Sequence, residues 1–183
     1  MLDLIIKNGQ CYIDGELKEV DVAIQDGKIY KIGQISEEAK ETINAEGQTV
    51  LPGCIDTQTH FREPGSTDTE DLHSGSRAAI AGGITSVFEM PNTNPPTSTK
   101  VEFQKKLDLA RNRMYCNYAF YFGATADNAN ELADLVNLEG CCGIKLFAGS
   151  STGNLLVAEE EDIEKVFQSS SKVVAVHKKM KRF

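Results

Sequence analysis

The stretch DTQTHFREPG, residues 56–65, follows the apolar run TVLPGCI of residues 49–55 and decides how the chain is interpreted. Its polar side chains stand at alternate or adjacent positions, and Pro64 and Gly65 then end the run. The pattern predicts a strand whose last side chains are polar and face a site. Gln58, two residues before His60, stands where a second histidine would make a metal site.

The composition is that of an ordinary globular protein. The 183 residues are 40% hydrophobic and 25% charged, enough for one sizeable domain or for a small domain and part of a larger one. The net charge of −8 argues against a general nucleic-acid binder, which needs a basic face. Because no apolar run approaches 18 residues and the N-terminus lacks a signal-peptide pattern, we expect no membrane span and a cytoplasmic location.

The five cysteines, at positions 11, 54, 116, 141 and 142, are odd in number. Four of them lie in apolar strand-like runs, which predicts reduced, structural thiols. Cys141 and Cys142 are adjacent and lack CxxC spacing, so redox and metal-binding roles are rejected for them.

Residues 1–50 contain short apolar stretches punctuated by Asn-Gly, Asp-Gly and Glu-Gly turn signals. The stretches are LDLIIKNG, QCYI, KEVDVAIQ, GKIYKIG and ETINAEG. They predict a small antiparallel, β-sandwich-like subdomain, with nothing in it that indicates a site.

From residue 51 to residue 183 strands alternate with helices. The predicted strands are TVLPGCID, GITSVFEM, YCNYAFYFGA, CCGIKLF and KVVAVH, and the predicted helices cover 70–82, 98–113, 128–140 and 158–171. Thr97 or Ser98 is the expected cap of the second helix. Alternation of this kind indicates parallel strands covered by helices. We therefore predict an α/β fold, an incomplete (β/α)8 TIM-type barrel of about five strands.

Polar residues cluster at the carboxyl ends of these strands. His60 and Arg62 end the first strand, Asn92 follows the second, Lys145 lies in the fourth and His177 ends the fifth. Parallel barrels build their sites at that end. A single such residue is more often a satisfied strand-end side chain, but agreement among four strands favours a site.

His60 and His177 can supply neutral imidazole ligands to a divalent metal. Gln58 projects to the same face as His60, although an amide oxygen is a poorer zinc ligand than imidazole. A buried ammonium at Lys145 would be repelled and poorly solvated there. Lys145 fits if its amine reacts with carbon dioxide to form a bridging carbamate, and the alternative is a lysine that snorkels to solvent.

Arg62 and Asn92 indicate a pocket for a small anion that contains an amide. The forked guanidinium suits bidentate capture of a carboxylate. Asn92, in the loop MPNTNPP, offers a donor and an acceptor to an amide-bearing ring. Taken alone, each is only a polar loop residue.

The segments LPGCIDTQTHFREPG, EMPNTNPP, GIKLF and VVAVH, in this order and spacing, resemble the dihydroorotase family of the amidohydrolase superfamily. Dihydropyrimidinase and allantoinase share the metal pattern but not the pair HFREPG and MPNTNP. The resemblance implies reversible cyclisation of N-carbamoyl-L-aspartate to L-dihydroorotate in pyrimidine biosynthesis, with one or two zinc ions. It assigns to the metal Gln58, His60, Lys145 (as the carboxylated bridging residue) and His177, and to the substrate carboxylate Arg62 and Asn92.

Two departures from the family pattern shape the expected function. Gln58 replaces a histidine, and the chain ends six residues after His177, before a further His ligand and the catalytic Asp of the family. We therefore expect a truncated, catalytically impaired fragment with no catalytic residue of its own. The ending HKKMKRF replaces an acidic run, and one codon set for it encodes Glu-Asp-Glu-Lys-Ile in a shifted frame. This suggests a frameshift, with a split gene as the alternative.

Enzymatic activity stays open among three interpretations. The chain is a fragment without catalysis, an enzyme completed by a complementary chain or a second copy that covers the open barrel edges, or a non-catalytic subunit that supports aspartate carbamoyltransferase. For the activity itself, another cyclic amidase of the dihydropyrimidinase or allantoinase type is the alternative.

Overall fold

The computed structural model describes residues 1–151 and 153–178. The frameshift hypothesis rests mainly on residues 179–183, which lie outside the described residues. The chain divides into two compact units at the bond between Pro52 and Gly53. Each unit is described by itself.

The first unit consists of short strands. They are β1 (Leu2–Lys7), β2 (Gln10–Ile13), β3 (Glu16–Glu19), β4 (Asp21–Gln25), β5 (Lys28–Gly33), β6 (Ala39–Asn44) and β7 (Thr49–Val50). Four strands form one sheet in the order β5-β4-β1-β6, and three form a second in the order β3-β2-β7. Asp14-Gly15 and Asp26-Gly27 have positive φ at both residues, as the tight turns of hairpins require.

The prediction of a purely antiparallel unit is wrong for two strand pairs. Strands β1 and β6 pair in parallel, and so do β2 and β7. After β5 the chain returns to the free edge of β1 and runs in the same direction as β1, so local turn signals could not reveal the pairing. The predicted single strand KEVDVAIQ is also split at Val20, because β3 and β4 belong to different sheets.

The second unit is a curled, five-stranded parallel half-barrel, which confirms the predicted α/β class and incomplete barrel. Its strands are β8 (Cys54–Thr59), β9 (Ile84–Glu89), β10 (Asn117–Gly123), β11 (Cys141–Phe147) and β12 (Val174–His177), in the order β12-β11-β10-β9-β8. The intervening helices are α1 (Leu72–Ala81), α2 (Lys100–Ala110), a 3₁₀ helix (Ala129–Asn137) and α3 (Glu160–Ser169).

Side-chain caps define where two helices begin. Asp71 and Ser74 form a reciprocal capping box at the start of α1. The cap of α2 is Thr99, whose side chain accepts a hydrogen bond from the Glu102 amide. The prediction of Thr97 or Ser98 is therefore wrong, because both are buried and belong to the preceding loop.

The core lies between the sheet and its helices. The Phe103 ring of α2 lies 6.3 Å from the Phe120 ring and 6.2 Å from the Phe122 ring, both of β10. Ile144 and Leu146 of β11 are fully buried in the same cluster. Because side chains alternate along a strand, the residues between these positions face the concave side of the sheet. That side is where the polar strand ends converge.

The predicted first barrel strand, residues 49–56, is interrupted by Pro52-Gly53, so β7 and β8 are separate strands in different units. All five cysteines are free thiols; Cys11, Cys116 and Cys141 are buried, whereas Cys54 is exposed, contrary to a structural role for it. In the described part of the chain, no helix is long and apolar enough to cross a bilayer.

Candidate functional site

The loop after β8 presents Arg62 by burying the residues on either side of it. Phe61 packs on α1 at Gly75, where an added Cβ would overlap its ring. Glu63 is 7% exposed. Arg62 itself is exposed and has a φ of 61°, in the left-handed region. The alternation leaves the guanidinium accessible at the carboxyl end of the sheet.

Glu63 ties this loop to two other parts of the unit. Its Oε1 accepts a hydrogen bond from Arg113 Nη1 at 2.8 Å, and its Oε2 accepts one from the Leu72 amide at 2.9 Å. The interaction with Glu63 raises the pKa of Arg113. Sequence reasoning missed both residues, although Glu63 stands inside the quoted motif.

The loop after β9 carries Asn92 and docks against the loop after β8. The Met90 amide donates to the Thr59 carbonyl at 3.0 Å, and the Asn94 amide donates to the Pro64 carbonyl at 2.9 Å. Gly65, at a φ of 122°, lies so close to Asn94 that an added Cβ would be 3.0 Å from the Asn94 Cβ. The two loops therefore form one assembly.

A cavity of about 340 Å³ opens between these loops; we call it the anion cavity. Its lining residues are Arg62, Pro64, Ser66, Asn92, Thr93, Asn94, Pro96 and Gly153. The Asn92 Oδ1 atom is buried and forms no hydrogen bond of good geometry with the described residues. The Asn92 side chain nevertheless lies close enough to His60 to oppose the lowering of the imidazole pKa. A ligand with an N–H group and a carboxylate could satisfy Asn92 and Arg62 together.

The four predicted metal residues, Gln58, His60, Lys145 and His177, are called the metal side. Thr59 pairs with Glu89, which packs on the helix layer, so the alternation places Gln58 and His60 toward the concave face. Lys145 of β11 is 3% exposed and lies on the same face. His177 is exposed, and its ring lies 6.1 Å from that of Phe147.

Two members of the metal side are biased toward their neutral forms. Burial and the charge of Arg62 lower the pKa of His60, Lys145 and Lys106 act in the same direction, and Asn92 opposes them. Burial also lowers the pKa of Lys145. A neutral imidazole can ligate a metal, and a neutral amine can react with carbon dioxide.

The described residues do not fit a complete metal centre. Among them, no group of three or more His, Cys, Asp or Glu side chains could hold a metal ion. The metal side offers one partly buried imidazole, one exposed imidazole, an amide and an amine. Such a set is weaker than the nitrogen and carboxylate ligands that zinc sites use.

A buried ion pair lies behind the two loops and was missed by sequence reasoning. Glu89, at the end of β9, pairs with Lys106 of α2, and their side chains are 1% and 0% exposed. Lys106 Nζ also donates to the Met90 carbonyl at 3.1 Å. Burial raises the pKa of Glu89 to about 7 and lowers that of Lys106. In the sequence, the buried pair was indicated only by Glu89, an acidic residue at the end of a mainly apolar strand.

Comparison with known proteins places these features in a family. A profile described as the Amidohydrolase family matches residues 49–178. The chain is 39% identical over 163 residues to a dihydroorotase of Methanosarcina mazei, covering 88% of this chain and 36% of that protein. It is 40% identical over 149 residues to an allantoinase of Salmonella choleraesuis, covering 81% of this chain and 33% of that protein.

The fold has a similar counterpart among solved structures. The L-hydantoinase (dihydropyrimidinase) from Arthrobacter aurescens superposes with a TM-score of 0.88 at 30% identity, covering 97% of this chain and 41% of that chain. The present chain spans about a third of the length of the two curated relatives. Because the profile covers more than half of the chain and agrees with its half-barrel, the chain belongs to the amidohydrolase family.

Proposed function

We propose that the chain is the substrate-binding part of a cyclic amide hydrolase of the dihydroorotase type. Its substrates would be L-dihydroorotate and N-carbamoyl-L-aspartate, interconverted in pyrimidine biosynthesis. The observation that carries the proposal is the anion cavity, where Arg62 and the buried Oδ1 of Asn92 line one space. Identity of 39% to a dihydroorotase over most of the chain supports the same choice.

Arg62 and Asn92 would recognise different groups of the substrate. The Arg62 guanidinium presents parallel N–H groups to the substrate carboxylate. Asn92 accepts a hydrogen bond from a ring N–H through Oδ1 and can donate from Nδ2 to the carboxylate. An unsatisfied buried acceptor costs free energy, so a ligand that donates a hydrogen bond to the buried Asn92 oxygen gains binding free energy.

The local charge favours an anionic ligand in a protein whose net charge is −8. Arg62 acts as a positive charge on His60. The charges of Lys106 and Glu89 offset each other in their ion pair, and burial biases Lys145 toward its neutral form. A cleft with an excess of positive charge raises the local concentration of a small carboxylate and speeds its association.

We propose the metal side as a partial ligand set for zinc, since the amidohydrolase family is generally metal-dependent. Because the described residues do not fit a complete centre, hydrolysis would require further ligands beyond these residues. Support of aspartate carbamoyltransferase by a non-catalytic chain stays a prediction. The five free thiols accord with the proposed cytoplasmic location.

A second candidate is an amidase of the allantoinase or dihydropyrimidinase type, which the 40% identity to an allantoinase favours. The substrates differ in one decisive group. Dihydroorotate carries a carboxylate, whereas allantoin and dihydrouracil do not. Arg62 should therefore discriminate between the two functions.

Calorimetric titration with L-dihydroorotate and with dihydrouracil tests the proposal. We expect dihydroorotate to bind about 10–100-fold more tightly, because this ratio corresponds to the free energy of hydrogen bonds to a charged group. Arg62→Met should abolish the difference, and Arg111→Met, which removes an exposed guanidinium at the end of α2, should leave it unchanged. Equal affinity of the native chain for both ligands would refute the dihydroorotase assignment.

A further inference from the structure

The buried pair between Glu89 and Lys106 is not explained by stability alone. Both side chains are removed from solvent. Removing two charges from water is costly, and well-packed apolar residues often stabilise a protein as much as a buried ion pair does. The pair therefore raises the question of what its charges contact beyond each other.

The pair lies at the start of both loops that line the anion cavity. Lys106 Nζ donates to the carbonyl of Met90, two residues before Asn92. Glu89 pairs across the sheet with Thr59, three residues before Arg62, and the Met90 amide donates to the Thr59 carbonyl at 3.0 Å. The end of β8, which leads to Arg62, and the residue that begins the Asn92 loop therefore meet at one buried pair of charges.

We propose that Glu89 and Lys106 are positioning residues, which hold Arg62 and Asn92 at the spacing that an anionic ligand needs. This inference deepens the proposed function and rests on it. The pair acts through the Met90 carbonyl and through the pairing of Glu89 with Thr59, and touches no ligand itself. Its role is to couple α2 to the two βα loops.

Apolar substitutes could fill the same space but could not perform this task. Met90 is 1% exposed, so its carbonyl has little access to water if the Lys106 donor is removed. The peptide would then shift to find another donor, and the shift would move Asn92. Binding constellations lose function when their supporting residues leave them about 1 Å out of place.

The test compares the native chain with the double variant Glu89→Met and Lys106→Met, in which no buried charge is left unpaired. Three quantities are measured: the thermal midpoint, the ratio of dihydrouracil to dihydroorotate dissociation constants, and amide hydrogen exchange at residues 61–63 and 90–94. Lys105→Met is the matched control, because it removes the neighbouring exposed ammonium of α2, which pairs with Glu102.

We expect the double variant to remain folded, to lose at least fivefold in the ratio of dissociation constants, and to exchange faster in both loops. A native ratio with native exchange would overturn the inference. If the double variant does not fold, Glu89→Asp replaces it; this variant keeps both charges but draws the carboxylate back from the Lys106 ammonium. A native ratio in Glu89→Asp would likewise overturn the inference.

The proposed function and the inference fail in different ways. If the native chain does not discriminate between the two ligands, the proposed function is refuted. The exchange rates then decide the inference alone, since faster exchange confined to residues 61–63 and 90–94 supports a positioning role for the pair. Native rates in both loops would refute it.

Discussion

The anion cavity and the metal side belong to the same half-barrel, but the chain supports them differently. The anion cavity is lined mainly by the loops after β8 and β9, which are adjacent strands, together with Gly153 from the loop after β11. The metal side takes its residues from β8, β11 and β12, and β8 and β12 are opposite edges of the sheet. One site depends on neighbouring loops, the other on the curvature of the whole sheet.

Burial follows the same division. Behind the anion cavity, Glu63, Glu89 and Lys106 are buried and engaged in ion pairs. On the metal side, Gln58 and His177 are exposed, and Lys145 is buried. The residues of the cavity therefore come mainly from two adjacent βα loops, whereas the predicted metal residues come from strands that are far apart in the sheet order. Substitutions in each region test whether the anion cavity and the metal side differ in this way.

The largest effect is expected for Lys106→Met, which leaves Glu89 as a lone buried carboxylate. Removing one partner of a buried pair costs about 3–5 kcal/mol. The pKa of Glu89 is already about 7 and should rise further without the ammonium, while the unfolded chain keeps the ordinary value of 4.5. Between these values the folded state binds more protons, so stability is greatest at low pH and falls by about 1.4 kcal/mol per pH unit as pH rises.

Urea unfolding of the native chain and of Lys106→Met at pH 5, 6.5 and 8 measures this dependence. The difference in unfolding free energy should grow with pH. Lys105→Met should follow the native protein at all three values, because its ammonium is exposed. A difference that stays constant with pH would show that Glu89 is not a desolvated charge, and the buried support of the anion cavity would then be disproved.

A smaller effect is expected for Glu63→Gln, which removes the charge next to Arg62. The Leu72 amide and the Arg113 guanidinium would lose a charged acceptor. Hydrogen bonds to charged groups contribute about 1.5–3 kcal/mol, so unfolding free energy should fall by that amount. Chemical denaturation measures the loss, and Glu139→Gln at an exposed position is the control. A loss no greater than that of the control would contradict a structural role for Glu63.

Much of the fold could be predicted from local patterns. Apolar runs and turn signals located four of the barrel strands and the helices, and they placed the first strand too early, because strand and helix periodicity are properties of neighbouring residues. Long-range effects accounted for the errors. The parallel pairing of β6 with β1 depends on a return across the sheet, and Thr99 became the cap of α2 because tertiary contacts had already engaged Thr97 and Ser98.

The candidate site divides in the same way. Arg62 and Asn92 line one cavity, as the motifs indicated, because each stands next to a proline-containing turn at a strand end. The support behind them could not be predicted. Glutamate and lysine are seldom fully buried unless paired, and nothing in the sequence links Glu89 to Lys106 across the 16 intervening positions. The metal assignment stays a prediction.

The smallest effect is expected for Gln58→His, which strengthens the metal side without touching the anion cavity. An imidazole would replace the weak amide donor beside His60 on the concave face. Even residues outside the first coordination shell change metal affinity by about 10-fold or more, so a better ligand in the shell should raise zinc affinity by at least about 10-fold. Competition with a chelator of known affinity measures the change. Asn117→His, at the opposite end of the sheet, is the control.

The outcome locates the weakness of the metal side. A tenfold gain would mean that Gln58 limits zinc binding and that β8 already lies within reach of the other ligands. No gain beyond that of Asn117→His would mean that the donor type is not the limit, since a better ligand on β8 cannot help if the ligands of β11 and β12 are too distant. In that case the curvature of the sheet, rather than the glutamine, limits zinc binding by the metal side, whereas the anion cavity does not depend on that curvature.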